Sequence, residues 1–416
     1  MALWYNKKKQ IGDFMQPKKV IIIGGGASGM MAALSARKNG ALVTILERNL
    51  KLGKKILATG NGRCNFTNVD AISNDYNHPE FVSPIFEQFS VDKTLLFFKQ
   101  LGIYPKIEDE GKAYPLSEQA SSINALFEDE IKRLGVNVIY DALVTNIIKK
   151  SDIFYITTQD KTYEADRIII STGGKALPQS GSDGSGYQLA QSFKHQLTPI
   201  YPSLVKLTLD SPYLKHLDGV KFKGTVELIE NGNILQSEYS DVLFTKYGIS
   251  GPGILQISRK ANDLLNQNRD IWVKVIIVNY IQKLDIINRM KEMKDRQVKQ
   301  LLTGLIHQKL IDSILKETNI HKDTIVSNLT KDENKKLLTI LFDWRFKVTG
   351  SKDFTDAQVT AGGIKLDEVH DHTLESRLTK GLYFSGEILD IDALCGGYNL
   401  QWAWSSGYVA GYHASI

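Results

Sequence analysis

The chain is short of cysteine, with only Cys64 and Cys395 in 416 residues. Two thiols cannot build a disulfide framework or a four-cysteine zinc site, and such sparse usage suits a reducing compartment. Histidine is thin as well. The eight residues form no HxxxH or His/Asp cluster, so no metal is expected, and His195, His307 and His413 read as structural. No GxSxG or Ser/His/Asp set argues for hydrolysis. No apolar run reaches the roughly 18 residues expected of a membrane span. The first nineteen residues, MALWYNKKKQIGDFMQPKK, lack the apolar core and cleavage site of a signal peptide. They read as a disordered arm (1–19) or as an upstream start with Met15 the working one. These absences together predict a cytoplasmic protein with no membrane partner. No repeat or low-complexity tract appears.

At 416 residues the chain exceeds the size of one ordinary core, so two or three domains are expected. The formal charge is +5, the ordinary balance of a solvated lysine-rich surface. The excess is uneven, however. Residues 281–340 hold twelve Lys or Arg against eight Asp or Glu, a net of +4 that suits an acidic substrate or nucleic acid.

Lys18–Gly40 reads KKVIIIGGGASGMMAALSARKNG. Val20–Ile23 predict a buried strand, followed at once by Gly24-x-Gly26-x-x-Gly29, with Ala27 and Ser28 inside the turn, and then by a helix over Met30–Lys38. A second strand, ALVTILE, ends at Glu47. Glycine is needed where the chain turns tightly and where backbone approaches a pyrophosphate. The helix start offers free N–H groups, and an acid about 20 residues on grips ribose hydroxyls. This is a dinucleotide site, and the acid favours FAD or NAD over NADP.

Later segments favour FAD. DRIIISTGGKALP is another buried strand, running into Thr172-Gly173-Gly174. SGSDGSGYQLA is a glycine-rich turn opening a helix. KGLYFSGEILDIDALCGGYNLQWAWSSGYVAG predicts a strand at Leu382–Ser385, a break at Gly386-Glu387, and a helix from Tyr398 to about Ala410. A carboxylate at that strand end can hold a ribityl chain. The helix start can face the flavin edge where negative charge gathers on reduction. An NAD site needs none of this. The alternative is a tight loop in a sheet.

These segments, with GKKILATGNGRCNFTN, KAYPLSEQASS, LFTKYGISGPGILQISR and VTAGGI, resemble the bacterial FAD-binding oxidoreductases of the aminoacetone oxidase-like family, within the larger group sharing the glutathione-reductase-type FAD fold. The similarity runs over residues 24–411. It implies an FAD fold, and with the strand and helix patterns described below the expected architecture is α/β: a discontinuous Rossmann-like FAD-binding domain (20–190 and 361–416), an inserted β-barrel-like domain (191–280 and 344–360) and a helical insertion (281–343). It also implies that Lys54, Lys55, Thr59, Gly60, Asn61, Gly62 and Arg63 run along the pyrophosphate toward the isoalloxazine of a non-covalent FAD. The residue chemistry agrees, since lysines suit a diphosphate, Arg63 can fork onto oxygens, and Asn61 and Asn65 offer donor and acceptor. Further expected contacts are Arg48, Val144, Asp390, Gly397, Asn399, Leu400 and Gln401. Tyr187 and Tyr398 are either aromatic neighbours of the flavin or core residues. Cys64 is either a thiol activated by Arg63 or a small packed residue; no ligand spacing supports a metal knuckle.

Between these parts, SLVKLTL, GTVELIE, NILQSEY, DVLFT and IWVKVIIVN predict strands, with Asn231-Gly232 a hairpin turn. The Gly251-Pro252-Gly253 turn sits by the substrate or joins two layers. Residues 285–343 carry helical spacing, and 346–369 return to extended chain. The expected function is flavin-mediated hydride transfer, with NADH or NADPH as a transient donor because no second nucleotide motif exists. No catalytic acid or base stands out. The resemblance implies three chemistries: oxidation of amines such as aminoacetone with oxygen, reduction of a conjugated double bond, and reduction of uridine in ribosomal RNA. A binding or redox-sensing protein without turnover is the rival class.

Overall fold

The computed structural model describes residues 16–416, so most of the expected N-terminal arm, and Met15, lie outside the described residues. The chain opens with strand Lys19–Ile23, helix α1 (Ala27–Lys38) and strand Leu42–Leu46. Five parallel strands form one sheet, in the order Leu382–Phe384, Arg167–Ile170, Lys19–Ile23, Leu42–Leu46 and Asn137–Ile139. Val20–Ile23 and Ile168–Ile170 are buried on both faces, which is why they read as unbroken β-branched runs. The fold is thus mixed α/β with a Rossmann-type parallel sheet. The strand that ends it, 382–384, lies more than two hundred residues after its neighbour in the sheet.

The last helix, called α3 here (Tyr398–Ser415), packs along α1. Its contact face is small. A Cβ on Gly407 would stand 2.3 Å from Ser28 O, and one on Gly411 would stand 2.2 Å from Ala32 O. The matched order of these pairs makes the two helices parallel. Nine residues therefore place the start of α3 about 13 Å beyond the level of Ser28, at about 1.5 Å per residue. Trp404 fixes α3 from the other side, donating to Phe66 O at 2.8 Å and stacking on Phe127.

The middle of the chain forms a closed antiparallel barrel of strands Leu207–Asp210, Gly248–Ser250, Asn233–Thr245, Lys221–Glu230, Ile271–Ile276 and Trp344–Ser351. The segments NILQSEY and DVLFT, read as separate strands, are one continuous strand, Asn233–Thr245. Helix α2 (Pro252–Asn266) covers the barrel. Four helices lie between Lys283 and Phe342, and their buried Ile286, Leu301, Ile311 and Leu337 share one apolar cluster with the barrel's Val226 and Phe346. No helix among the described residues is long and apolar enough to cross a membrane.

Candidate active site

A cavity of about 690 Å³ runs between the sheet's C-terminal edge and the barrel. One end is built by the first glycine turn. Gly24 has φ +99° and donates to Leu46 O at 2.9 Å, returning the chain from strand to helix. Gly26 faces open space; a Cβ there would meet nothing within 4 Å. Gly29 closes the turn from behind, where a Cβ would stand 2.0 Å from Gly24 O, so it packs helix on strand and does not line the cavity. Glu47 is buried. One carboxylate oxygen accepts from Gly25 N at 2.7 Å, the other from the backbone and side chain of Asn49, both at 2.7 Å. The acid thus shapes the glycine loop as well as facing the cavity. Ala27, Ser28, Arg48, Val144, Thr172 and Gly173 line the same space, with Arg48 tied to Asp183.

The other end is built around the start of α3. Gly397, its N-cap, has φ +100°, and Asn399 and Leu400 line the wall. Gly60 and Asn61, both with φ +55°, bend the loop that begins at Ile56 across the cavity floor. Lys54, Thr59 and Arg63 also line it. Lys55 is held to Glu387 at 2.6 Å, and the second oxygen of Glu387 accepts from Thr360 N at 2.7 Å. Glu387 therefore ties three segments together at the wall. Arg63, expected to fork onto oxygens, lines the cavity, bonds Glu108 at 3.0 Å and lies 4.1 Å over the Tyr114 ring. The hairpin bearing Glu108 supplies an anion that the local sequence around Arg63 does not show.

Other expected contacts lie off the cavity. Gln401 is fully buried, bonded to Thr67, Thr94 and Ser405 behind α3. Asp390 turns to Asn77 and His78. Gly174 packs on Thr360 and Gly386 on Ser28, and Gly62 takes φ +84° facing outward. Tyr398 accepts from Tyr76 through its carbonyl, and Tyr187 joins the core. Cys64 is completely buried, and burial pushes its thiol up to about 12. A thiol in that state is inert at neutral pH. Replacing Cys64 by serine is expected to leave cofactor content and turnover within about twofold of the parent; a variant that keeps its cofactor and loses turnover would make Cys64 part of the chemistry.

Sequence reasoning missed the far wall. Ser180–Ser182, Leu204, Ser250, Leu255 and Ala357–Val359 approach from distant segments, as do Lys112 and Tyr114, whereas Gly251 and Pro252, from the turn offered as a neighbour of the substrate, do line the cavity. Only the glycine-rich turns at 180–184 and 251–253 and the KAYP segment carried a sequence signal for any of them.

The cavity fits an extended dinucleotide. Two helix N-termini, those of α1 and α3, open onto it about 13 Å apart along their common direction. Asn65 Oδ1, Thr172 Oγ1 and Ser182 Oγ are buried beside it without a partner among the described residues. Buried polar atoms in native proteins are paired, so these three call for a polar ligand. FAD fits these features: its diphosphate would suit the free N–H groups of the α1 turn, and Asn65, Thr172 and Ser182 would offer it polar partners. Among the described residues no cluster of His, Cys, Asp or Glu is arranged to hold a metal ion.

Comparison with known proteins agrees. The sequence model described as the HI0933-like protein Rossmann domain matches residues 18–413. The chain is 38% identical over 405 residues to a 3-dehydro-bile acid delta(4,6)-reductase of Clostridium scindens, covering 95% of this chain and 99% of that one. It is 30% identical over 397 residues to the ribosomal RNA dihydrouridine synthase of Haemophilus influenzae, covering 93% and 96%. Among solved structures, the open conformation of a flavocytochrome c3 fumarate reductase superposes with a TM-score of 0.51 at 15% identity, over 96% of this chain and 78% of that one, which is a likeness of fold. With the glycine turn, the buried acid and the two converging helix starts in place, the chain belongs to the HI0933-like Rossmann-domain family of FAD-dependent oxidoreductases.

Proposed function

We propose that the protein reduces a carbon–carbon double bond conjugated with a carbonyl, in a small and largely apolar molecule, with NADH or NADPH as the transient electron donor. The observation that carries this is the near full-length match to the bile acid reductase. The two relatives' names share a chemistry, since a 3-oxo-4,6-diene and a uracil ring each present a C=C in conjugation with C=O. The cavity suits the smaller ligand. Its barrel-side wall sets Leu204, Pro252, Leu255, Ala357 and Val359 beside Ser250, Asp356 and Gln358, a mainly apolar surface with a few polar groups, as small-molecule sites usually have.

FAD, when bound, supplies two-electron hydride chemistry. The chain's own groups position and tune it. The start of α3 turns free N–H groups toward the cavity, favouring negative charge there. Leu255, Leu400 and Val359 exclude water. A nicotinamide and a substrate that both react at one flavin would enter in turn, and double-reciprocal plots are expected to be parallel. The proposal is tested by incubating holoprotein, NADH or NADPH, and a 3-oxo-4-ene steroid without oxygen. A product heavier by two hydrogens supports it; no product with either nicotinamide contradicts it.

Uridine in RNA is the second reading. It is favoured by the net +4 of residues 281–340, which form the helices beside the barrel. Oxidation of aminoacetone-like amines has less support, because neither of the two near full-length relatives above is named as an amine oxidase.

A further inference from the structure

We propose that Tyr114 is the hydrogen-bond donor that receives the substrate's carbonyl oxygen, held in place from behind by Arg63. This rests on the conjugated-carbonyl reading above and names the group that recognises it.

Tyr114 lies on strand Lys112–Pro115, the central strand of a small three-stranded sheet. It belongs to the α3 end of the cavity. A Cβ on Gly60 would stand 3.2 Å from its ring, and a Cβ on Gly396 would stand 3.4 Å from the neighbouring Lys112 side chain. The ring is fixed. It is 7% exposed, the Arg63 guanidinium covers it at 4.1 Å, and Glu108 holds that guanidinium at 3.0 Å while itself 3.1 Å from Lys106. A phenol anchored through its face leaves one freedom, the direction of its O–H.

The charged groups and the thiol at this end are engaged, and the Asn61 and Asn65 amides are the other side-chain N–H donors that line it. Arg63 is bonded to Glu108, Lys112 to Glu110, and the Cys395 thiol lies 3.7 Å from Gln358 Oε1. Tyr114 lines the cavity, and no side chain among the described residues hydrogen-bonds its hydroxyl. Burial raises its pKa above the ordinary value near 10, so it keeps its proton throughout the neutral range.

The chemistry needs such a donor. A hydride that originates with reduced nicotinamide adds at the carbon β to the carbonyl. The C=C π bond breaks, its electron pair moves toward the carbonyl oxygen, and the resulting enolate takes a proton from water at the α-carbon. Negative charge peaks on the oxygen midway. A preorganised donor there, backed by a guanidinium, acts most strongly in the transition state.

The test is Tyr114→Phe, which keeps the ring under Arg63 and removes only the hydroxyl. Dissociation constants for a 3-oxo-4-ene steroid and its 3-deoxy analogue are read from the flavin absorbance of oxidised holoprotein, and the reduction rate from prereduced protein. The expected result is a rate about 100-fold lower, ketone binding weaker by roughly fivefold, and unchanged binding of the deoxy analogue with normal flavin content. Equal loss for both ligands, or no loss for either while the parent reduces the ketone, overturns the proposal alone. If the parent reduces uridine in RNA but no steroid, the same variant decides on that substrate: loss supports Tyr114, no loss overturns it. A parent that acts on neither overturns the functional reading and this proposal with it.

Discussion

Replacing Gly26 with valine is expected to give folded protein with at least a tenfold loss of bound flavin. A Cβ at this position meets no protein atom within 4 Å, and φ −77°, ψ −167° is extended backbone that valine readily adopts. The space it enters is the cavity, at the first turn of α1, where backbone must approach a diphosphate. The cost to the apo fold is the exchange of a favourable N-cap glycine, about 1 kcal/mol. Comparison must be made between apo proteins, because a ligand at 100 times its Kd alone adds about 2.7 kcal/mol to the holo form. Gly29→Val serves as the opposite case. Its Cβ would stand 2.0 Å from Gly24 O, so it should fail to fold with or without cofactor. Glu47→Ala falls between the two, losing flavin and also destabilising the apo protein, since Gly25 N and Asn49 lose their acceptor. Absorbance at the flavin band and thermal melts of apo protein measure all three. Full flavin content in the Gly26 variant would displace the cofactor from this turn.

The second large effect is at the joint between the barrel and the flavin end. Asp392 is 1% exposed, and Arg259 on α2 bonds both its oxygens, at 2.9 and 2.7 Å. One turn earlier, Gln256 accepts from Cys395 N at 2.9 Å, so α2 holds the segment that leads into α3. Arg259→Ala leaves a buried carboxylate without its partner and is expected to cost about 3 kcal/mol. Asp392→Asn should cost less, because Arg259 is one-third exposed and can turn to water. The pH dependence has a definite sign. Burial pushes the Asp392 carboxyl above its ordinary value even with Arg259 opposing, and removing Arg259 raises it further. An acid whose folded pKa exceeds its unfolded one binds the extra proton in the native state, so stability falls as pH rises from about 4 through the folded value. The deficit of Arg259→Ala should therefore be smaller at pH 5 than at pH 8 in denaturant melts. A deficit that grows on acidification would mean Asp392 is not the group left stranded.

The nucleotide half of the site is legible in the sequence because its parts are local. Val20–Ile23, the glycines after them and Glu47 lie within one strand–helix–strand unit. The other half is not local. Helix α3 is buried on nearly every side, so its sequence does not say that Asn399 and Leu400 meet the cavity while Gln401 faces Thr67. That Arg63 also bonds Glu108 is not legible locally, because this partner lies 45 residues away on another hairpin. In the barrel, alternation marks the strands, but Ser240 reads as a break where the strand Asn233–Thr245 pairs continuously, with Ser240 opposite Gly224. Helical spacing in 285–343 likewise shows amphipathic faces without showing that they share the barrel's core.

The central claim is tested most directly by the visible spectrum of purified protein in the absence of oxygen, first alone, then with NADH or NADPH, then with a 3-oxo-4-ene steroid. A flavin band that bleaches with one nicotinamide and returns on adding the conjugated ketone is the predicted result. A band that resists both nicotinamides, or that bleaches and returns only with oxygen, would contradict it.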